Sequence, residues 1–411
     1  MTAASANCSA KRWLSILGIG EDGIDGLSPV ARKLIGTATL VVGGKRHLAL
    51  AAPLIAGERL IWPSPMGPAF DAIARRRGAA VSVLASGDPF HFGVGKQLAG
   101  RFPVNEMLCL PHPSAFSLAA ARLGWALQDV ALVSLHGRPL EGIVRHLSNG
   151  TRILALVTDG TSPAKLASLL IARGMQRSRL TVLEAMGGLS ERVRTAPAHA
   201  FTLSDVGPLT TVAVEVVADP AAPVVALASG LDDDLFEHDG QMTKREIRAV
   251  TLSALAPCRG ELLWDVGLGA GSVAIEWLLH HPSLRAIGVE ARPDRAARAA
   301  RNAAALGAMR LDIKQGWAPD AFDGLEPPDA AFIGGGISDV GVFERVWATL
   351  RSGGRVVANA VSLEGEARLS ALYRQHGGAL TRISVARAEP VGAKRGWRSA
   401  MPVTQWRVAK P

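Results

Sequence analysis

Apolar residues along this chain come in short unbroken runs, each ended by glycine and followed by a stretch in which apolar positions recur with helical spacing. Runs of that kind are what strands buried on both faces require. The first, Leu14-Ser15-Ile16-Leu17-Gly18-Ile19, leads into Gly20-Glu21-Asp22-Gly23. A helix containing Ala31 to Ile35 and a strand from Thr39 to Gly44 are predicted next. Ala80 to Leu84 predicts a further strand that runs into Ala85-Ser86-Gly87-Asp88-Pro89-Phe90, and Phe92-Gly93-Val94-Gly95 opens another helix. Val212 to Val217 reads as the last strand of this half, because Ala218-Asp219-Pro220-Ala221-Ala222-Pro223 suits a linker and no buried strand. A second series begins at Glu261, with the strand Leu262 to Val266, the loop Gly267-Leu268-Gly269-Ala270-Gly271 and a helix from Ser272 to His280. It continues with the strand Arg285 to Glu290, a third strand ahead of Gln315, and a fourth, Asp329 to Ile333, that meets Gly334-Gly335-Gly336. Strand and helix alternating twice predict an α/β protein with parallel sheets, divided into domains 1–218 and 226–411.

Length agrees with that division, since 411 residues exceed what one hydrophobic core usually serves. With 48% hydrophobic and 20% charged residues the chain can bury a sizeable core, which excludes disorder as the default. The net charge of +9 calls for an acidic partner. Nucleic acid is not that partner, because the arginines (Arg75 to Arg77, Arg292, Arg295, Arg298, Arg301) are scattered and a single tyrosine occurs. Arg295, Arg298 and Arg301 instead read as the solvated face of a helix, and Asp232-Asp233-Asp234 as a solvated run. No apolar stretch is long enough to cross a bilayer, so no membrane is expected. Lys11-Arg12 before Trp13 to Ile19 imitates a signal peptide, but the run ends in Gly18-Ile19-Gly20-Glu21-Asp22 and reads as a strand. Cys8, Cys109 and Cys258 are far apart and odd in number, which points to reduced thiols in a cytoplasmic protein and to neither disulfides nor a zinc site. His280-His281, before Pro282, read as helix-end caps and not as metal ligands.

Candidate chemistry sits where strands end. Glycines in Gly267 to Gly271 permit a sharp turn and let a ligand approach backbone at a helix N-terminus. Glu290 ends the next strand, about 20 residues on, where a carboxylate can accept hydrogen bonds from ribose hydroxyls. Together they indicate an adenosine-containing ligand. Ser272 stands where a dinucleotide fingerprint wants a third glycine, and Asp265 precedes the loop. Thr243, with Glu246 three residues later, reads as a helix N-cap.

Asp-Val-Gly-x-Gly-x-Gly (Asp265 to Gly271) resembles motif I of the Rossmann-like class I methyltransferases. Met242-Thr243-Lys244-Arg245-Glu246-Ile247-Arg248, the turn Gln315-Gly316-Trp317-Ala318-Pro319 and the triple glycine narrow the resemblance. They look like the cobalamin-pathway enzymes that methylate C15 of a corrin precursor and decarboxylate its ring-C (C12) acetate. That resemblance implies S-adenosyl-L-methionine held by Thr243, Asp265, Gly267, Leu268, Gly269, Ala270, Gly271, Glu290 and Ala318, with substrate at Gly334, Gly335 and Gly336. In the first half, Gly18-Ile19-Gly20, Ser86-Gly87-Asp88-Pro89, Pro113-Ser114-Ala115-Phe116-Ser117 and Ser134-Leu135-His136-Gly137-Arg138 occur in the order of the class III tetrapyrrole methylases. The last motif is similar to that of the C5-methylating member. The resemblance implies two α/β subdomains, cofactor contacts at Gly18, Gly20, Gly87, Asp88 and Ser114, catalytic parts for Asp88 and His136, and substrate carboxylates facing His136 and Arg138. Glu21 departs from the class, which often has proline there.

In this order the halves resemble the precorrin-6Y C5,15-methyltransferase (decarboxylating) family: a class III tetrapyrrole methylase fold followed by a doubly wound Rossmann-like domain. The resemblance implies methylation of precorrin-6B at C5 and C15 with decarboxylation, giving precorrin-8, with one cofactor site per domain. It also implies a polyanionic tetrapyrrole substrate suited to the positive chain, no metal, and a homo-oligomer. Two other readings stay open: a nicotinamide-dependent oxidoreductase using the Gly267 loop, and a non-catalytic tetrapyrrole carrier.

Overall fold

The apolar runs become strands close to where their pattern puts them. A computed structural model describes residues 12–411, and Cys8 and Lys11 lie outside the described residues. The strands gather into two five-stranded sheets, one seven-stranded sheet and a separate two-stranded pair. The chain divides into two compact units: the first runs to Arg138 and includes Asn149–Ala222, and the second comprises Pro139–Ser148 and Pro223–Pro411.

In the first unit, Leu14–Ile19 (β1), Leu40–Gly43 (β2), Glu58–Ile61 (β3), Val81–Ser86 (β4) and Met107–Leu110 (β5) form a parallel sheet of order β3-β2-β4-β1-β5. Every residue of β1 is buried. Successive side chains point to opposite faces, so Leu14 and Ile16 join one core with Phe70 and Val83, while Leu17 and Ile19 join another with Ile35 and Leu84. Two covered faces account for the unbroken apolar run. Parallel strands also place their carboxyl ends along one edge, where the loops after β1, β2, β4 and β5 meet.

The other sheet of this unit comprises Val130–Ser134 (β6), Arg152–Leu156 (β7), Arg179–Glu184 (β8), Arg192–Pro197 (β9) and Thr210–Glu215 (β10), in the order β6-β7-β10-β8-β9. Here the expectation of parallel sheets fails: β6 and β7 are parallel, and the other pairings are antiparallel. The link from β8 to β9 contains no helix, and a parallel return needs a crossover of a dozen or more residues.

The second unit is built on Leu262–Val266 (β11), Arg285–Glu290 (β12), Leu311–Gln315 (β13), Ala330–Ile333 (β14), Arg355–Ala360 (β15) and Ala379–Ile383 (β16). It ends with the hairpin Ala386–Val391 (β17) and Lys394–Ser399 (β18), and with Val403–Ala409 (β19). The sheet order is β13-β12-β11-β14-β15-β19-β16, parallel through β15 and antiparallel beyond it. Trp264, Phe322, Phe343 and Trp406 fill the core on one face. Strand order reverses at β11, which lies between β12 and β14, so the ligand crevice of such a sheet opens at the carboxyl end of β11.

Pro139–Ser148 groups with the second unit although the sequence division puts it in 1–218. It packs closely on Gly307, where a Cβ would lie 3.0 Å from the Glu141 carbonyl oxygen, and it helps to cap a helix. The helix Ser272–His280 ends with unpaired carbonyls and a partial negative charge. Arg145 donates to the Leu279 carbonyl at 2.7 Å, and Arg310 donates to those of Leu278 and His281 at 3.2 and 3.3 Å. His280 is occupied at the same helix end, its Nδ1 2.7 Å from the Glu276 carbonyl.

Candidate active sites

At the carboxyl end of β11 the chain turns through Gly267, Gly269 and Gly271, all with φ between +57° and +79°. A side chain is disfavoured in that conformation. At Gly267 it is also blocked, since a Cβ would sit 2.9 Å from the Gly335 backbone nitrogen. The triple glycine and the glycine loop are therefore in backbone contact. Glu290 is buried at the end of β12, where Oε2 accepts the Gly269 N–H at 2.8 Å and Oε1 accepts that of Arg292 at 3.0 Å. Each oxygen keeps a lone pair for a hydroxyl. The Glu290 carbonyl accepts the Gly316 N–H at 2.9 Å, which brings the turn with exposed Trp317 and half-buried Ala318 to the same rim.

Asp265 is fully buried beneath the loop and accepts the Ala274 N–H at 3.0 Å. Burial pushes its carboxyl up to about 7, with a smaller push from the charge of Glu290. From about pH 4 to 7 the unfolded chain has lost this proton while the folded chain keeps it. The folded state binds more protons, so stability from this group is present in acid and is lost as pH rises to 7. Asp265→Asn is therefore expected to gain on the wild type by as much as ~4 kcal/mol between pH 4 and pH 8, at about 1.4 kcal/mol per pH unit of displacement. Urea unfolding at several pH values measures the gap; a gap independent of pH would mean that the carboxyl is ionised throughout.

The segment before the helix Arg245–Leu255 corrects three expectations. Lys244, not Thr243, occupies the N-cap position, and no side chain caps the helix. The Thr243 hydroxyl is thereby released from the capping part its sequence context assigned. Arg295 and Arg298 are not on a solvated face, whereas Arg301 is exposed as its spacing predicts. Arg295 donates to Asp239 at 2.8 Å and to Gln241 at 2.6 Å, Arg298 pairs with Asp239 at 3.2 Å, and Arg301 donates to Glu237 at 2.7 Å. These bonds hold residues 237–241 as a strap, with the Gln241 carbonyl 3.8 Å from where a Cβ on Gly269 would lie. Nor is Asp233 merely solvated, for it accepts from Arg248 at 3.0 Å. Asn302, which the sequence reading missed, is buried and joins strap to loop, donating to the carbonyls of Glu237 at 3.0 Å and Ala270 at 2.9 Å. Its signal was a polar residue in phase with buried Ala299 and Ala303.

In the first unit three loops converge at the sheet edge. The Gly87 N–H donates to the Ile19 carbonyl at 3.3 Å, and the His112 N–H donates to that of Gly87 at 3.1 Å. A Cβ on Gly18 would lie 2.0 Å from the Gly87 carbonyl oxygen, and one on Gly87, whose φ is +53°, 2.8 Å from the Ser114 Cα. Asp88 accepts the Phe90 N–H at 2.8 Å and so shapes its own loop. Ser114 is buried and caps the helix Ala115–Leu123 by accepting from Ser117 N–H at 3.2 Å. His136 and Arg138 follow β6 in the other sheet and are exposed, with His136 Nδ1 3.3 Å from the Val157 carbonyl.

The structure gives Glu21 and Asp22 partners in Arg46 and His112, which, with His47, the sequence reading passed over. Glu21 pairs with Arg46, which also donates to Ser86 at 3.0 Å. His47 Nε2 is 2.8 Å from the same hydroxyl, and burial together with Arg46 lowers the imidazole to about 4, leaving it neutral. His112 Nε2 lies 3.1 Å from Asp22 Oδ2. Lys45-Arg46-His47 directly after the Gly43-Gly44 strand end was the available sign.

Residues 14–201 match the family described as Tetrapyrrole (Corrin/Porphyrin) Methylases, and residues 234–410 match the Precorrin methyltransferase domain. A relative from Sinorhizobium sp, named precorrin-6Y C(5,15)-methyltransferase (decarboxylating), is 55% identical over 96% of this chain and 95% of its own. A Salmonella typhimurium relative named cobalt-precorrin-7 C(5)-methyltransferase is 34% identical, covering 46% of this chain and 92% of the relative. One from Saccharolobus solfataricus, named probable cobalt-precorrin-6B C(15)-methyltransferase (decarboxylating), is 36% identical over 33% of this chain and 71% of the relative. Among the described residues no helix is long and apolar enough to cross a membrane.

Proposed function

The chain belongs to the precorrin-6Y C5,15-methyltransferase (decarboxylating) family, and from that premise we propose that its two units divide the chemistry, the first methylating C5 and the second methylating C15 and decarboxylating the ring-C acetate. It is an enzyme of cobalamin biosynthesis, a decarboxylating precorrin C-methyltransferase. The nicotinamide and carrier readings fall away with that membership. The substrate is precorrin-6B and the product precorrin-8.

Methyltransferases of this family use S-adenosyl-L-methionine, whose sulfonium supplies an already activated methyl group. Each unit has one site for it. The observation that carries this reading is the pair of glycine cradles, at Gly18 with Gly87 and at Gly267 with Gly335, where a Cβ would collide with backbone. Such crowding packs the loops backbone to backbone at the carboxyl ends of the strands, where open α/β sheets bind their ligands. In the second unit Glu290 accepts from ribose hydroxyls, Thr243, Asp265 and Gly267 to Gly271 surround the methionine portion, Ala318 lies against adenine, and Gly334 to Gly336 face the tetrapyrrole. In the first, Gly18, Gly20, Gly87, Asp88 and Ser114 hold the cofactor while His136 and Arg138 meet substrate carboxylates. The chain's work at both sites is to align donor and acceptor and to exclude water.

The test is mass spectrometry of the tetrapyrrole after incubation with precorrin-6B and S-adenosyl-L-methionine. The wild type should add two methyl groups and lose carbon dioxide. Asp88→Ala or His136→Ala should lose C5 methylation while C15 methylation and carbon dioxide release persist. Glu290→Ala should abolish the latter two. Equal loss of all three steps in the Asp88 variant would defeat the division of labour.

A further inference from the structure

Transfer of a methyl group to a ring carbon that carries hydrogen releases a proton, and the division proposed above leaves the first unit without an assigned acceptor for it. The candidates at the sheet edge can be compared. Glu21 is paired with Arg46, and Asp88, one oxygen of which accepts the N–H of its own loop, is already placed with the cofactor in the reading above. His91 is stacked between Phe92 and Phe116. His47 Nε2 is engaged with Ser86 and Arg46, and its Nδ1 is buried out of reach of substrate. His112 differs. Its side chain is 11% exposed, and its Nε2 faces a carboxylate oxygen of Asp22 at 3.1 Å. An ionised carboxylate only accepts, so Nε2 carries the hydrogen and Nδ1 keeps its lone pair. Nδ1 lies 3.4 Å from the Pro113 carbonyl oxygen, beyond ordinary hydrogen-bond length. Glycine at position 20 keeps a side chain from covering this edge of the ring, since a Cβ there would be 2.7 Å from Cε1 and 3.1 Å from Nδ1.

Asp22 is itself held in place. A Cβ on Gly26 would lie 2.0 Å from its Oδ2, so the carboxylate occupies space that two glycines vacate, and its Oδ1 is buried without a partner. Next to it, the Glu21–Arg46 pair anchors the loop to the ends of β2 and β4. The His112 backbone N–H is bonded to the Gly87 carbonyl, one residue before Asp88. The imidazole is thereby oriented at both ends on the loops that form the first unit's site.

We propose that His112, oriented by Asp22, is the proton acceptor for methyl transfer in the first unit, an assignment that rests on the reading of that unit as the C5 methylase. The ring carbon forms its bond to the methyl carbon as the sulfur–methyl bond breaks, with that electron pair left on sulfur. The C–H bond at the same ring carbon then breaks, its electrons return to the conjugated ring, and the proton passes to His112 Nδ1. The resulting imidazolium lies between Asp22 on one side and the Pro113 carbonyl on the other, and releases the proton to water.

The experiment uses the full chain carrying His112→Ala or His112→Gln, with calorimetric titration of S-adenosyl-L-methionine and single-turnover mass analysis. Both variants should bind cofactor as the wild type does, carry out C15 methylation and decarboxylation, and lose C5 methylation about 10²-fold or more, the usual worth of a positioned base. Added imidazole should restore part of the C5 rate in His112→Ala and none in His112→Gln, where the site is filled. A His112→Gln chain with the wild-type C5 rate, or a His112→Ala loss that imidazole does not relieve, overturns the base and leaves His112 as a tie between loops. Persistence of C5 methylation in Asp88→Ala would instead overturn the reading beneath the proposal, and the proposal with it.

Discussion

Arg248→Met is expected to destabilise the second unit by about 3–5 kcal/mol, the cost of breaking a buried ion pair from one side. Arg248 is fully buried and Glu276 nearly so. The guanidinium donates to Glu276, to Asp233 at 3.0 Å, to the Thr243 carbonyl at 2.6 Å and to the Leu231 carbonyl, and lies 4.8 Å from the centre of the Phe236 ring. Glu276 in turn accepts the N–H groups of Gly230 and Leu231 at 2.7 and 2.9 Å. Methionine would leave that carboxylate buried without its cation. Adding Glu276→Gln removes the stranded charge but keeps an acceptor for only one of the two N–H groups, which bond to different carboxylate oxygens, so the double variant should recover part of the loss. Denaturant unfolding, with hydrogen exchange in β11 and β12 to isolate the second unit, gives both numbers. A loss below about 1 kcal/mol would place this pair with exposed bridges of little worth. Because Thr243 loses its carbonyl's donor, cofactor affinity at the second site should fall with stability.

Gly18→Ala is expected to remove C5 methylation by about 10²-fold or more, the scale on which a displacement of roughly 1 Å costs rate. The added carbon would lie 2.0 Å from the Gly87 carbonyl oxygen and 2.4 Å from the His112 nitrogen. Both are backbone atoms, so no side-chain rotation relieves the clash, and the loops carrying Asp88 and His112 must part. Overpacking of this kind also costs about 1–3 kcal/mol, felt by the first unit. Gly67→Ala is the control, since nothing lies within 4 Å of its added carbon. Mass analysis of the product should show one methyl and decarboxylation from Gly18→Ala, and two methyls from Gly67→Ala. Two methyls at the wild-type rate from Gly18→Ala would mean that the loops move apart without consequence.

The amino-acid pattern alone determined the most buried strands and the glycine loops, because these depend on local sequence, and it left strands such as β3 and β16 to β18, which are largely exposed, unmarked. Leu262–Val266, Ser272–His280 and Arg285–Glu290 are observed with the predicted bounds, since a run buried on both faces and a loop needing positive φ each leave a mark on neighbouring residues. The same locality marked Glu290 as a carboxylate at a strand end. Pairing direction was not legible for β10, because the hydrogen bonds that make it antiparallel to β7 join residues such as Thr211 and Leu156, far apart in the chain. Nor was the fate of the charges. Arg295 and Arg298 have the spacing of a solvated helix face, and only the strap at 237–241, more than fifty residues earlier in the chain, turns them into structural donors. His112 and Asp22 stand ninety positions apart, and Arg248 meets Glu276 across two helices. A polar side chain takes its meaning from its partner, and partners are assigned by the folding of the sheets. Sequence therefore determined where strands end and ligands can approach, and tertiary structure decided which charged groups meet there.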